Sequence, residues 1–406
     1  MVSSELIPAH NLALDRDSKI ILLVIDGVGG LPHPSSGCTE LETAHTPNLD
    51  ALAQNGVGGL IRPIARGVTP GSGVAHLSLF GYDPIKHAIG RGAVAALGIG
   101  LKPAPEDVAV RVNFATMDDS GVISDRRAGR IPTERNAELC ELLCKIRLDD
   151  VAFTIDPVKD YRAVVVFKGA DLSEKLADSD PGQNGLPPRP VQPLVSGDPK
   201  AERTARIANE FILQAREILR DLAPTNSILM RGFAHPVYLA AMQEVYKLKA
   251  GAIATYPDYL GVSRMVGMDI LPTGGEIADE MDTLEQHYAD YDFIYFHVKK
   301  TDSAGEDGNF DEKVRIIEEL DSLLPRMTAL QPDVLVVTGD HSTPATFKAH
   351  SWHPVPLILS SKWSRRDPVR GFSETECAKG CLGQFPATEI MALALANAER
   401  LTKFGA

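Results

Sequence analysis

Two segments far apart in the chain each place an acidic side chain shortly after an apolar run. Residues 334–337 are followed by Asp340 and His341, and residues 20–25 are followed by Asp26 and a row of glycines. Short apolar runs of this kind are typical of buried strands, and the loops after such strands carry the chemistry in α/β proteins. A charged group there is costly unless something pairs with it, and divalent cations are common partners. The two segments therefore indicate a metal site assembled from distant parts of the sequence.

A third segment, Thr69-Pro70-Gly71-Ser72-Gly73-Val74-Ala75-His76, presents a serine. Proline and glycine before Ser72 and glycine after it predict a sharp turn, and the apolar run at residues 77–80 predicts the body of a helix. A serine at such a turn faces outward beside helix N-terminal amides, which favour anions. Serine at a helix start is also a common N-cap, so this segment alone fits either a nucleophile or a cap.

Two further segments carry side chains that bind metals. Residues 299–308 follow an apolar run and contain Asp302 and Glu306, although taken alone they also fit a solvated acidic turn. His350 lies shortly after the Asp340-His341 pair.

Carboxylates and imidazoles together suit Mn²⁺ or Zn²⁺, and the candidates suffice for two ions. The candidate ligands are Asp26, Ser72, Asp302, Glu306, Asp340, His341 and His350. Two adjacent divalent ions form a clamp for phosphoryl transfer, and a serine alkoxide held by such an ion is a nucleophile at neutral pH.

Apolar runs recur along the chain with helical stretches between them. Strands are predicted at residues 20–25, 108–114, 163–167, 227–230, 252–255, 293–297 and 334–338. Helices are predicted at residues 46–55, 134–145, 200–222, 273–288, 310–328 and 388–401. This alternation implies parallel α/β layers with right-handed crossovers.

The chain of 406 residues is too long for one ordinary hydrophobic core, so two domains are expected. The strand ends with candidate chemistry lie in the first and last parts of the chain. Residues 1–95 and 225–406 are therefore predicted to form a discontinuous metal-binding core domain, and residues 96–224 an inserted substrate domain.

Composition and charge limit the classes of partner that the protein is expected to bind. The formal net charge of −13 argues against a general nucleic-acid binder, because phosphate backbones require a basic face. No run approaches the roughly 20 apolar residues needed to span a bilayer, and residues 1–19 lack the continuous apolar segment of a secretory signal. A cytoplasmic location is expected, where cysteines stay reduced.

Longer motifs carry a resemblance to a known family. They are Asp26-Gly27, Thr46-Pro47-Asn48-Leu49-Asp50, Pro70-Gly71-Ser72, Leu77-Ser78-Leu79-Phe80-Gly81-Tyr82-Asp83-Pro84, Gly90-Arg91-Gly92, Ala96-Leu97-Gly98-Ile99-Gly100, Asp125-Arg126-Arg127-Ala128-Gly129-Arg130, Gly339-Asp340-His341-Ser342-Thr343-Pro344, and His350 with Pro354-Val355-Pro356. In this order, across nearly the whole chain, the sequence resembles the cofactor-independent phosphoglycerate mutases of the archaeal type, in the alkaline phosphatase superfamily. The resemblance implies an α/β fold: an alkaline-phosphatase-like core, with a mainly parallel sheet flanked by helices, plus a smaller inserted α/β domain.

The resemblance also implies roles for individual residues. Ser72 corresponds to the nucleophile that forms a phosphoserine intermediate. The implied ligands of one metal are Asp26, Ser72, Asp340 and His341, and those of the other are Asp302 and His350. Family members usually have histidine where this chain has Glu306, a harder, anionic group that can still bind a divalent ion through oxygen.

The implied reaction interconverts 3-phosphoglycerate and 2-phosphoglycerate, with two divalent ions and without 2,3-bisphosphoglycerate. Mn²⁺ is the expected metal, and Zn²⁺, Co²⁺ and Mg²⁺ are the alternatives. Guanidinium groups match carboxylates and phosphates bidentately. Basic residues in segments similar to the family's substrate pocket are therefore candidates for binding the substrate. The alternative role for them is a surface salt bridge. They are Arg91, Arg126, Arg127, Arg231, Lys249 and Arg264.

Two other functions stay open at this stage. A superfamily relative could hydrolyse phosphate esters or phosphorylate another alcohol such as homoserine, and the identity of the phosphate acceptor discriminates these reactions. A catalytically silent binding relative is the second alternative, and metal content discriminates it. The expected partner is a small phosphoglycerate, with no nucleic acid and no membrane, and the oligomeric state is left open.

Overall fold

The computed structural model describes residues 9–87 and 89–405. Its strands are β1 (Ile20–Ile25), β2 (Val57–Arg62), β3 (Val108–Met117), β4 (Ile123–Asp125), β5 (Ala152–Lys159), β6 (Arg162–Lys168), β7 (Ser227–Ala234), β8 (Ala250–Ile253), β9 (Asp269–Ile270), β10 (Phe293–Val298), β11 (Val334–Thr338), β12 (Val355–Ser361) and β13 (Gly383–Pro386). Its helices are α1 (Ala9–Leu12), α2 (Glu40–Thr43), α3 (Pro47–Asn55), α4 (Ser72–Leu79), α5 (Arg91–Gly98), α6 (Thr133–Leu143), α7 (Pro199–Leu219), α8 (Met242–Tyr246), α9 (Pro257–Met265), α10 (Ile277–His287), α11 (Lys300–Asp307), α12 (Phe310–Ala329), α13 (Glu374–Cys377) and α14 (Ile390–Asn397). None of the helices in the described ranges is both long and apolar enough to cross a membrane.

The chain divides into two compact units. The first comprises Met1–Ala88, Leu239–Tyr259 and Val266–Ala406, and the second comprises Ile89–Tyr238 and Leu260–Met265. The boundaries predicted at residues 95 and 224 differ from these, because both α5 and β7 belong to the second unit. There β7 pairs with β3, and α5 packs on β3.

The first unit is built on an eight-stranded sheet with the order β13-β2-β12-β11-β1-β10-β8-β9. Strand β1 lies between β10 and β11 and runs parallel to both. All six of its residues are buried, as expected of a strand covered on both faces. Helices α3, α10 and α14 pack against strands of this sheet. The predicted mainly parallel sheet with flanking helices is confirmed for this unit.

The second unit contains a five-stranded sheet in which β4, β3, β6 and β5 follow one another in that order, and β7 also pairs with β3. All of its pairs are antiparallel. Alternate residues of β3 enter two cores: Val110 and Val112 pack with residues of α6 and α7, whereas Ala109 packs with Ala95 of α5. The parallel layers expected from the alternation of elements therefore hold for the large sheet only, because neighbours such as β5 and β6 form a hairpin.

Glu280 on α10 is an acidic side chain buried in the first unit, only 3% exposed. Burial raises the pKa of Glu280 from 4.5 to about 8, although the charge of Lys300 opposes the shift. Because the folded state then binds this proton more tightly than the unfolded chain, the stabilising contribution is complete below pH 4.5 and is lost as the pH rises through about 8.

The E280Q variant, which is neutral at every pH, is expected to lose this dependence. Between pH 5 and pH 8, the wild-type free energy of unfolding should fall relative to that of E280Q by up to about 4 kcal/mol. Urea denaturation followed by circular dichroism at several pH values measures the difference. E244Q, which changes an exposed glutamate of the same unit, should keep the wild-type profile. A pH profile of E280Q that matches the wild type would contradict the prediction.

Candidate active site

The ends of three neighbouring strands position the candidate residues. Asp26 follows β1, Asp340 follows β11 at a distance of one residue, and Asp302 lies in α11, which begins just after β10. Ile25 of β1 is in register with Val298 at the end of β10. Carboxyl ends of parallel strands meet at one edge of a sheet, where α/β proteins bind ligands. The convergence predicted from the sequence is thus present in the first unit.

Asp26, Asp340 and His341 form the first group of candidate metal ligands. One ligand atom from each lies within 4.8 Å of the others, and all three residues are fully buried. His341 Nε2 is 3.1 Å from Asp340 Oδ2 and 3.5 Å from Asp26 Oδ1. Neither of these two oxygens has a hydrogen-bond partner among the described residues. Unsatisfied buried carboxylate oxygens are costly, so their convergence on one imidazole nitrogen fits a cation.

The other oxygen of each carboxylate is held in place. Asp340 Oδ1 accepts hydrogen bonds from the backbone N–H groups of Gly27 (3.1 Å) and His341 (3.0 Å). Asp26 Oδ2 accepts one from the Tyr259 hydroxyl at 2.5 Å. Burial raises the pKa of Asp26, but the charge of Lys299 and the contact with His297 outweigh it, so the pKa lies well below its ordinary value. Asp26 is therefore ionised, and both carboxylates are held in fixed orientations.

The glycines after Asp26 let two loops approach each other. Gly27 has a φ of +63°, and a Cβ there would lie 2.5 Å from Thr343 Oγ1. A Cβ on Gly29 would lie 1.9 Å from Ser342 Oγ. The ammonium of Lys313, which is fully buried, donates to the carbonyl oxygens of Gly27, Gly29 and Thr343. This lysine clamps together the loops that follow β1 and β11.

Ser72 is the first residue of α4, and the N-cap is Gly71, so the serine does not cap the helix. Its Oγ lies 3.2 Å from His341 Nε2, which places it beside the first ligand group. His76 Nδ1 donates to the carbonyl of Ser72 at 2.8 Å. Burial lowers the pKa of His76 to about 4, although Asp340 opposes the shift, so this histidine is neutral. His76 thereby fixes the first turn of α4.

Asp302, His341 and His350 form the second group, again with ligand atoms within 4.8 Å of one another. His350 Nε2 is 3.5 Å from Asp302 Oδ1, and the rings of His341 and His350 stack at 3.6 Å. His350 Nδ1 donates to the carbonyl of Pro70 at 3.0 Å, which leaves Nε2 directed at Asp302. Burial lowers the pKa of His350, but the hydrogen bond and charge of Asp302 outweigh it and raise the pKa to about 9.

Glu306 lies at the margin of this second group. Its Oε1 is 3.9 Å from His350 Nε2, and its side chain is half exposed. It is one turn along α11 from Asp302, a spacing that puts the two carboxylates on the same side of the helix. The role of Glu306 as a ligand stays a prediction.

Sequence reasoning missed Lys299. Its Nζ lies 3.1 Å from Asp26 Oδ2 and 2.5 Å from Asp302 Oδ2, so it touches one carboxylate from each group. Burial lowers the pKa of Lys299, but the charges of Asp26 and Asp302 outweigh it and raise the pKa. Its position directly after β10, the same strand-end signal as Asp26, could have identified it.

Two of the predicted substrate-binding arginines meet at one carboxylate in the second unit. Arg126 makes a bidentate pair with Asp180, with distances of 2.7 Å and 2.8 Å. Arg231 Nε lies 3.2 Å from Asp180 Oδ2. Asp178, Asp180, Arg189 and Arg231 all line a cavity of about 570 Å³. The arrangement places guanidinium groups and carboxylates together at one partly buried cavity.

Of the remaining arginine candidates, Arg127 follows Arg126 directly, and Arg91 lies against Gly232, the residue after Arg231. Arg264 Nη1 donates to the carbonyls of Leu97 (2.8 Å) and Gly98 (2.7 Å) and so caps the end of α5. Arg91 begins α5 and is exposed, as is Arg127.

Lys249 requires a correction. It precedes β8, and its neighbour Ala250 pairs with Phe293, the first residue of β10. Lys249 therefore lies at the amino end of the sheet, opposite the edge that carries Asp26 and Asp302. Its ammonium sits over the ring of Tyr291, so the substrate-binding role predicted for it is wrong.

Comparisons with known proteins identify the family of this chain. A family model described as 2,3-bisphosphoglycerate-independent phosphoglycerate mutase matches residues 53–226. A relative from Thermotoga sp. strain RQ2, named probable 2,3-bisphosphoglycerate-independent phosphoglycerate mutase, is 51% identical over 397 residues, which cover 97% of this chain and 98% of the relative. This chain belongs to the 2,3-bisphosphoglycerate-independent phosphoglycerate mutase family. A relative of the same name from Thermus thermophilus is 48% identical over 400 residues, covering 97% and 98%.

Two solved structures share the fold of this phosphoglycerate mutase family member. A protein from Pyrococcus horikoshii aligns with a TM-score of 0.83 and 30% identity, covering 96% of this chain and 100% of that one. A cofactor-independent phosphoglycerate mutase from Thermoplasma acidophilum aligns with a TM-score of 0.68 and 31% identity, covering 94% and 100%. The family resemblance drawn from the sequence motifs is therefore confirmed.

Proposed function

We propose that this protein interconverts 3-phosphoglycerate and 2-phosphoglycerate, with Ser72 as the nucleophile. The observation that carries the proposal is the 3.2 Å contact between Ser72 Oγ and His341 Nε2, the nitrogen on which two unsatisfied buried carboxylate oxygens converge. The names of relatives at about 50% identity over nearly the full length of the chain support the reaction.

Two divalent cations complete the proposed site. Asp26, Ser72, Asp340 and His341 would hold one, and Asp302, Glu306 and His350 the other. When bound, the cations favour the alkoxide form of the serine and offset negative charge on the phosphate. Ligand sets rich in carboxylates with some imidazole suit Mn²⁺ best among the alternatives Zn²⁺, Co²⁺ and Mg²⁺.

The chain's own residues supply the rest of the reaction. Ser72 Oγ bonds to the phosphorus of 3-phosphoglycerate while the bond to the glycerate 3-oxygen breaks; the serine hydroxyl gives up its proton, and the departing 3-oxygen takes one up. The 2-hydroxyl of the same glycerate then attacks the phosphoserine and gives up its proton, and the Ser72 oxygen takes one up as it leaves. The Lys299 ammonium, between Asp26 and Asp302, adds positive charge near the reacting group.

The substrate-binding role of the arginines is part of the proposal. Arg126 and Arg231, gathered at Asp180, carry the planar donors that match a carboxylate or phosphate. Arg91 and Arg127 are assigned to the same role on the family resemblance alone. The guanidinium groups of Arg126 and Arg264 already have partners within the chain: Arg126 donates through Nε and Nη2 to Asp180, and Arg264 donates through Nη1 to two carbonyls at the end of α5. Each would bind the substrate through its remaining N–H groups.

Phosphorus NMR of a mixture with 3-phosphoglycerate tests the proposal. Protein stripped of metal with a chelator should be inactive, and added Mn²⁺ should produce 2-phosphoglycerate without any 2,3-bisphosphoglycerate. Release of inorganic phosphate in place of 2-phosphoglycerate would identify a hydrolase instead. No turnover with any of the four metals would overturn the proposed function.

A further inference from the structure

Thr343 touches a member of each candidate ligand group with a single hydroxyl. Its Oγ1 lies 2.7 Å from Asp302 Oδ1, in the second group, and 2.9 Å from His341 Nδ1, in the first. The side chain is fully buried. One oxygen atom therefore bridges a carboxylate and an imidazole that come from different parts of the chain.

The single proton of this hydroxyl fixes the direction of both hydrogen bonds. Asp302 Oδ2 lies 2.5 Å from the Lys299 ammonium, so the carboxylate is ionised and can only accept. Thr343 therefore donates to Asp302, and its oxygen accepts a hydrogen bond from His341 Nδ1–H. With the proton on Nδ1, Nε2 of His341 keeps the lone pair that a metal ligand needs.

Other neighbours of His341 favour the opposite tautomer, in which the proton is on Nε2. Nε2 lies 3.1 Å from Asp340 Oδ2 and 3.5 Å from Asp26 Oδ1, so a proton there would face two carboxylates. That tautomer cannot bind a cation through Nε2. Among the described residues, the Thr343 hydroxyl contacts Nδ1 and favours the tautomer with the proton on Nδ1.

The backbone holds the hydroxyl in position. Thr343 N–H donates to the carbonyls of Gly27 (3.2 Å) and Gly29 (3.1 Å), and its own carbonyl accepts from Lys313 at 2.9 Å. The absence of a side chain on Gly27 leaves the space that Oγ1 occupies.

We propose that Thr343 is a positioning residue that sets the tautomer of His341 and the orientation of Asp302, so that both cation sites depend on one hydroxyl. The inference rests on the proposed function, since it assumes that these groups bind divalent cations. Hydrogen bonds to ligand side chains of this kind typically contribute 10–100-fold to metal affinity.

Isothermal titration of metal-stripped protein with Mn²⁺, together with elemental analysis, tests the proposal. T343V, which keeps the side-chain shape but removes the hydroxyl, should bind Mn²⁺ about 10–100-fold more weakly than the wild type. T343S should restore the affinity to within about threefold, because it retains the hydroxyl. T338V is the matched control: Thr338 is also fully buried, but its hydroxyl donates to the Pro356 carbonyl. It should bind metal as the wild type does.

Two results would overturn the role of Thr343: wild-type Mn²⁺ affinity in T343V, or affinity in T343S as low as in T343V. T343A provides the same comparison without the buried methyl groups if T343V does not fold, as judged by circular dichroism. Failure of the proposed function looks different, because the wild-type protein would then form no 2-phosphoglycerate even with Mn²⁺ bound, whatever the metal affinities of the Thr343 variants.

Discussion

Replacing Ser72 by alanine is expected to abolish mutase turnover, lowering kcat by about 10⁴-fold or more. The hydroxyl is the proposed acceptor of the phosphoryl group, and its oxygen lies 3.2 Å from His341 Nε2. Nothing else at the start of α4 can replace it, because Gly71 and Gly73 flank it. Phosphorus NMR of the 3-phosphoglycerate reaction measures the loss. Mass spectrometry of wild-type protein quenched during turnover should locate one phosphoryl group on the peptide that contains Ser72.

The control for Ser72 is Ser78, in the same helix. Its hydroxyl donates to the carbonyl of Val74 at 3.3 Å, and the side chain is fully buried. S78A should therefore keep kcat within about threefold of the wild type, since it loses one weak buried hydrogen bond. Turnover by S72A at the wild-type rate, or phosphate on another residue, would remove Ser72 from the mechanism.

Replacing Asp340 by asparagine is expected to weaken the binding of one of the two cations by about 100-fold or more. Asp340 Oδ2 is one of the two unsatisfied buried oxygens directed at the first site. The asparagine oxygen can still accept from the N–H groups of Gly27 and His341, so the two loops should stay in place. Turnover should fall with the loss of the ion. Elemental analysis after dialysis against a fixed Mn²⁺ concentration counts the ions.

D311N is the matched control for D340N. Asp311 is an exposed acid in the first turn of α12, and it belongs to neither ligand group. This variant should retain wild-type metal content and turnover. If D340N bound two ions as tightly as the wild type does, the assignment of the first site would be wrong.

The strands that carry the site could be predicted from the sequence, and the reason is physical. β1, β10 and β11 are buried on both faces, so they appear as continuous apolar runs that stop at polar residues. The predicted bounds of β1 and β11 coincide with the observed ones, and β10 is one residue longer than predicted. Since parallel neighbours end at a common edge, the proximity of Asp26 and Asp340 followed from the same pattern.

The elements that were missed have weaker local signals. β2 contains two consecutive glycines, which disfavour a strand, and it forms through its pairing with β12 and β13. The sequence of residues 299–308, which contains two predicted metal ligands, also fits a solvated acidic turn, but Lys300–Asp307 is a helix, with Gly308 at its end in the left-handed conformation. Its acidic residues gave little apolar periodicity to reveal it.

The candidate site could be predicted only in part. Candidate ligands in motifs or at strand ends could be predicted. Thr343 also stands in a motif, but the role proposed for it, like that of Lys313, depends on contacts with segments distant in the chain. Lys313 appears in the sequence as an ordinary polar position of α12, yet its ammonium is buried against the Gly27 and Gly29 carbonyls. Such roles depend on how loops meet in space, which the local sequence does not encode. The same holds for Lys249, whose basic character gave no indication of the end of the sheet on which it lies.

The central place of β1 affects how the protein is made on the ribosome. β1 emerges before every other strand of its sheet, yet both of its neighbours, β10 and β11, come from the last third of the chain. All strands of the second sheet, β3 to β7, are synthesised after β1 and before β10. Throughout that time the nascent chain carries an unpaired apolar segment, Ile-Ile-Leu-Leu-Val-Ile, of the type that aggregates. A chain cut short before residue 334 would therefore be a target for chaperones and proteases rather than a slow enzyme.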